Sequence, residues 1–177
     1  MRRNINNCTI QSLGPIKQGE LELGDLTLLV GPQATGKSIF LQIFKLLLDR
    51  DNIIRTLDQH GFSWQANLKN FFALYFGEGM ESLWQDNSRL TINDQPIELT
   101  QKLQRRAKQE LTRKRVPEIA EKVFLIPAQR VISLNNGWFR PFTEYDSSVP
   151  YVLKNFSEKL RRFMDDQFRQ IREEPLI

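Results

Sequence analysis

The chain has 177 residues, 40% of them hydrophobic and 26% charged, with a formal net charge of +4. That composition fits one domain with a packed core and excludes both two domains of ordinary size and wholesale disorder. No apolar run is longer than residues 71–76, against the roughly 20 residues of a membrane-crossing helix, so a transmembrane protein is excluded too.

One cysteine, Cys8, leaves no internal disulfide, and one histidine, His60, leaves no usual zinc set. Asn4, Asn6 and Asn7 follow Arg2 and Arg3, where a secretory signal needs an apolar stretch. The expected compartment is a reducing cytoplasm. The mild positive charge is compatible with a phosphate-bearing ligand or nucleic acid and demands neither.

In chain order, residues 8–16 read as a β segment broken by Gly14-Pro15. Gly19-Glu20-Leu21-Glu22-Leu23 alternates apolar and acidic residues and closes on the turn signal Gly24-Asp25. Leu26-Thr27-Leu28-Leu29-Val30 has the near-continuous apolarity of a buried strand and enters a glycine-framed loop at once. Ile39, Phe40, Ile43, Phe44, Leu46, Leu47 and Leu48 then repeat at helical spacing until Asp49-Arg50-Asp51.

Residues 67–76 predict an apolar helix ending near Gly77 and Gly79. Residues 88–99 predict a hairpin that turns at Asn93-Asp94. Thr100 is the expected N-cap of a charged helix running to about Arg115 and stopped by Pro117. Val123-Phe124-Leu125-Ile126, bounded by Pro127, reads as a second buried strand. A loop rich in Asn, Gly and Pro follows over residues 133–150. The last helix carries Val152, Leu153, Phe156, Leu160, Phe163, Phe168 and Ile171 along one face.

The chemistry lies in Gly31-Pro32-Gln33-Ala34-Thr35-Gly36-Lys37-Ser38, which satisfies G-x-x-x-x-G-K-[ST]. Glycines at this spacing let successive backbone N–H groups converge on phosphate oxygens, and the opening helix adds its positive dipole end. Lys37 is placed to reach β- and γ-phosphates, and the Ser38 hydroxyl to hold Mg²⁺. The expected cofactors are therefore ATP and Mg²⁺. Catalytic residues are not assigned.

About thirty residues precede this loop, and two of their segments are β-like. In this the chain resembles ABC-type ATPases, whose antiparallel sheet precedes the phosphate loop. The stretch LTLLVGPQATGKSIFLQIF is similar to the opening of bacterial AAA-family proteins allied to the SMC, RecF and OLD ATPases, several of which act in anti-phage defence. NFFALYFG (70–77), VFLIPAQR (123–130) and residues 145–156 with the following helix fit the same group.

The resemblance implies an α/β P-loop NTPase fold. It would be an ABC-like N-terminal lobe with a parallel core sheet holding residues 26–30 and 123–126, an antiparallel β layer over residues 8–23, and a helical region. The whole span 1–177 would be one ATP-binding domain. It also implies that Gln129 contacts Mg²⁺ and senses the γ-phosphate, against the plainer reading of a polar residue in a strand-exit loop. Arg130 reads as a phosphate or partner-interface contact, or at least as readily as a structural ion pair.

A Walker B strand ending in Asp-Glu and an LSGGQ-like signature are both missing. Asp165-Asp166 and Glu173-Glu174 do not follow buried strands, Gly77-Glu78 is not the required ending, and Ser133-Leu134-Asn135-Asn136-Gly137 only faintly echoes a signature. The expectation is a nucleotide-binding half that hydrolyses ATP with a C-terminal half or second ATPase subunit, through an ATP-dependent dimer. Two rivals stay open: a nucleotide-gated interaction module without turnover, and a small P-loop kinase, for which residues 105–115 are the only arginine-rich lid candidate.

Lys102, Arg105, Arg106, Lys108, Arg113, Lys114 and Arg115 crowd residues 102–115, with Leu99, Leu103, Ala107 and Leu111 as a packing stripe. A solvated helix face is the ordinary reading, and a nucleic-acid contact is the other. Trp64, Trp84 and Trp138 are read as core or interface, Cys8 as a buried small residue and His60 as part of a surface turn.

Overall fold

The computed structural model describes residues 5–65, 67–110, 120–127, 134–135 and 138–173. Strands β1 (Asn7–Leu13) and β2 (Ile16–Glu22) form a hairpin about Gly14-Pro15. β3 (Trp84–Ile92) and β4 (Gln95–Pro96) form a second hairpin. Together they make one antiparallel sheet of order β2-β1-β3-β4. Asn7 faces Glu22 and Leu13 faces Ile16, while on the other side of β1 Cys8 faces Ile92 and Gln11 faces Arg89. The β3–β4 turn is the expected one: Asn93 and Asp94 both take positive φ, 47° and 61°, as a two-residue hairpin loop requires.

Helix α1 (Lys37–Gln59) follows the loop, α2 (Leu68–Phe76) is capped by the Asn67 side chain, and α3 spans Leu99–Glu110. A short pair, β5 (Leu134–Asn135) and β6 (Trp138–Phe139), and a single 3-10 turn at Phe142–Glu144 lead to α4 (Tyr151–Glu173). The core joins the inner face of the sheet (Cys8, Ile10, Leu13, Leu90) to Ile43, Leu46, Ile53 and Leu57 of α1 and to Phe71, Phe72 and Tyr75 of α2. Phe142 and Tyr151 close it from the C-terminal side. Among the described residues no helix is long and apolar enough to cross a membrane.

Several expectations are corrected. The sheet is wholly antiparallel; no parallel core sheet is present among the described residues, so a P-loop NTPase fold of the expected kind is not what the chain shows. Residues 26–30 and 123–126 lie in no strand. Leu26, Leu28 and Val30 are 91%, 81% and 83% exposed, and Phe124 and Ile126 are more than half exposed. The physical reason is lateral pairing: an apolar run signals a residue set suited to a buried strand, but a strand exists only where a neighbour takes its backbone hydrogen bonds. Here the neighbours of β1 are its own hairpin partner and β3.

Smaller corrections concern helix ends. α1 does not stop at Asp49 but continues to Gln59 through a non-helical residue there, with φ −115° and ψ 15°. α3 starts at Leu99, which places Thr100 inside the helix rather than at its cap. Of the tryptophans, Trp64 is core, Trp84 half-buried and Trp138 exposed.

Candidate functional site

Gly36 stands at the N-cap of α1 with φ +90°, and Ala34, two residues earlier, has φ +62°. A non-glycine residue held left-handed costs about 1 kcal/mol or more, so Ala34 marks a loop constrained by its surroundings. The constraint at Gly36 is visible. A Cβ there would come within 2.5 Å of Ile16 and 3.3 Å of Pro15, because the loop is seated on the β1–β2 turn. Gly36 offers no side chain as a cap, and the first helical hydrogen bond runs from Phe40 N to Gly36 O, at 2.8 Å. The amides of Lys37, Ser38 and Ile39 therefore have no acceptor within the helix, and they sit at its positive end.

Lys37 turns back into the loop. Its Nζ donates to Gly31 O at 2.7 Å, to Pro32 O, and to Thr35 Oγ1 at 3.2 Å, which uses all three protons of the ammonium. Thr35 Oγ1 in turn donates to Pro32 O at 3.0 Å. Free amides and a convergent ammonium within one turn are the donor set that a phosphate requires. An anionic oxygen is a stronger acceptor for Lys37 than the neutral carbonyls it now holds. Gln33 and the rest of residues 31–35 are exposed, and Ser38 presents its hydroxyl on the exposed side of the first turn.

The metal half is thinner. Ser38 is the sole expected Mg²⁺ ligand among the described residues; Gln129 and Arg130 lie outside them. No group of three or more His, Cys, Asp or Glu side chains able to hold a metal occurs among the described residues. Asp165 pairs with Arg161 at 3.1 Å on α4, and Glu78 is a loop residue whose amide donates to Ser148 O at 3.2 Å. Glu174 lies outside the described residues. A groove of about 960 Å³ exists between the sheet and helices α2 and α3, near Trp84, Phe72 and Lys69, but no loop residue lines it. On α3, Leu103 is buried while Lys102 and Arg105 are exposed, as a one-sided basic helix requires; residues 111–115 lie outside the described residues.

Two charged clusters escaped the sequence reading. Lys45 and Asp49 are almost fully buried, 3.2 Å apart, and Lys45 Nζ also donates to Glu121 and to Val123 O. Burial lowers the Lys45 pKa, and the Asp49 carboxylate opposes the shift. Their i, i+4 spacing on the apolar face of α1 was the available signal. The second cluster is on α4. Lys154 is fully buried over the Phe62 ring at 4.1 Å, and burial pushes its amine down to about 8. One turn later Glu158 accepts from Arg161, Arg162 and the Phe142 amide. Burial raises its carboxyl, but those donors win and hold it at about 2. His60 stacks on Phe142 at 4.4 Å, so it packs against α4's neighbourhood rather than standing free. Comparison with protein-family models, with curated proteins and with solved structures finds no match to this chain.

Proposed function

We propose that the chain binds ATP with Mg²⁺ through residues 31–38 and does not turn it over by itself. The observation that carries this reading is the Lys37 ammonium directed into its own loop beside uncapped helix amides. In this reading the amides at residues 37–39 and the Lys37 ammonium hold the β- and γ-phosphates, and Ser38 holds Mg²⁺. Bound Mg²⁺ would screen the phosphate charge; Gln129 is the second ligand that the ABC-type resemblance suggests. Hydrolysis also needs a carboxylate that activates water and a surface that stabilises transferring charge. The loop stands open to solvent, so both would come from a C-terminal half or a second ATPase subunit.

A second reading, a nucleotide-gated interaction module, is favoured by one observation. Residues 26–30 lead straight into the loop and expose three large apolar side chains, the kind of patch that marks an interaction surface. Nucleic-acid contact through Lys102 and Arg105 remains a proposal supported by their exposure on a basic helix face.

The test is titration of a fluorescent ATP analogue with the wild-type chain and Lys37→Ala, followed by phosphate-release assays on both. Saturable binding that Lys37→Ala abolishes, with an unchanged circular dichroism spectrum, is expected. Absence of binding in the wild type, or equal binding in the variant, would overturn the assignment. Turnover of about 1 per second, lost in the variant, would overturn the claim that the chain alone is inert.

A further inference from the structure

Helix α1 starts at the phosphate loop and is broken once, at Asp49. The break has a use. Asp49 Oδ1 accepts from the Lys122 amide at 2.7 Å and Oδ2 from the Val123 amide at 2.9 Å, so one carboxylate holds two successive backbone donors of residues 120–127. Lys45, one turn earlier, closes the other side: its Nζ reaches Asp49, Glu121 and Val123 O. Glu121 is gripped from α4 as well, by Lys159 and by Asn155 Nδ2 at 3.3 Å. The four charges, Lys45, Asp49, Glu121 and Lys159, cancel, which is the condition for keeping them together in a low-dielectric place.

The arrangement makes α1 two arms. The first, from Lys37 to Asp49, is about 18 Å of continuous helix at the standard rise. Tyr75 of α2 donates its hydroxyl to Gln42 O at 2.8 Å near the middle of that arm, which ties it to α2. Both arms are anchored in the core, the first by Ile43 and Leu46 and the second by Ile53, Ile54 and Leu57, all fully buried. A helix unbroken at Asp49 would tie the clamp to both arms at once. The break leaves the clamp at the end of the arm whose other end is the loop.

We propose that α1 couples the two regions: a phosphate group bound at residues 31–38 tightens the hold of Lys45 and Asp49 on residues 121–123. The coupling rests on the phosphate-binding reading above. Immobilising the first turn of α1 removes motion from the whole first arm, and the clamp is where that arm ends. What the clamp controls is visible in the same segment. Val123 and Leu125 are half-buried, Leu125 against the core, while Phe124 and Ile126 are more than half exposed. Occupancy of the loop thus sets how firmly an apolar edge is presented.

The experiment is amide hydrogen exchange on the full chain, with and without Mg²⁺–ATP, in wild type and in Asp49→Asn. ATP is expected to protect residues 31–40 and to slow exchange of the Lys122 and Val123 amides by about tenfold. In Asp49→Asn, protection of 31–40 persists and the slowing at 122–123 disappears. Glu121→Gln, which spares the Lys45–Asp49 pair, should keep part of the slowing; it serves if Asp49→Asn does not fold. Protection of 31–40 with no change at 122–123 in the wild type overturns the coupling and leaves the nucleotide reading intact. No protection of 31–40 overturns the nucleotide reading first and the coupling with it.

Discussion

Residues 71–76 and residues 26–30 are both near-continuous apolar runs, and they meet opposite fates. Phe71, Phe72, Tyr75 and Phe76 are buried, whereas Leu26, Leu28 and Val30 are among the most exposed hydrophobic residues described. A helix satisfies its own backbone and needs only one face covered, which α1 and α4 provide for α2. An extended segment needs lateral neighbours for its backbone as well as cover for its side chains. Apolarity is thus a demand for neighbours, which the first run finds along a whole face and the second, among the described residues, mainly at Leu29.

The comparison is most easily broken by paired truncation. Phe71→Ala should cost about 3–5 kcal/mol, while Leu28→Ala should cost less than about 0.5 kcal/mol, both read from urea unfolding midpoints. A cost above about 2 kcal/mol for Leu28→Ala would mean that residues 26–30 are packed in solution.

Removing one charge from the clamp comes next. Asp49→Ala leaves the buried Lys45 with Glu121 and Val123 O and should cost about 3 kcal/mol. Replacing both partners, Lys45→Met with Asp49→Leu, should recover most of it. A double variant as unstable as the single one would show that the two backbone bonds to Asp49, not the ion pair, dominate.

Acid sharpens the comparison on the packed side. The Glu158 carboxyl is lowered from 4.5 to about 2 on folding, so its contribution is fully present above pH 4.5 and fades as pH falls toward 2. Allowing for the exposure of Arg162, about 2 kcal/mol should be lost over that window, and Glu158→Gln should lose none of its stability by this route. Equal acid sensitivity in the two proteins would assign the loss elsewhere.

The smallest effect has the opposite sign. The Lys154 amine is lowered from 10.5 to about 8 by burial, with Asp146 opposing, so the cost of its charge is fully present below pH 8 and relieved as pH rises to 10.5. Lys154→Met should therefore stabilise the chain by about 1 kcal/mol at pH 7, with the gain shrinking toward pH 10.5. Loss of stability at pH 7 would instead mean that the contact with Phe62 outweighs the burial cost.

The loop at residues 31–38 was legible as a candidate site because its motif has fixed residues at fixed spacing, and the two hairpins because alternation and turn residues are local signals. Helix α2 announced itself through Asn67 before it and Gly77 after it. The parallel sheet was misread because Leu26-Thr27-Leu28-Leu29-Val30 reports side-chain preference and says nothing of a partner strand. Lys45, Asp49 and Lys154 went unread because a charge inside a helical segment is ordinarily solvated; their burial is set by residues 76, 73 and 92 positions away, beyond any local window.

Gly36 carries one further consequence. Its left-handed backbone and the closeness of Ile16 exclude a side chain whether or not a phosphate ever occupies the loop. Selection for folding alone would retain this glycine in a descendant with or without affinity for nucleotides. The positions that would report on the proposed ligand are Lys37 and Ser38, half-buried and exposed, which would be free to drift without one.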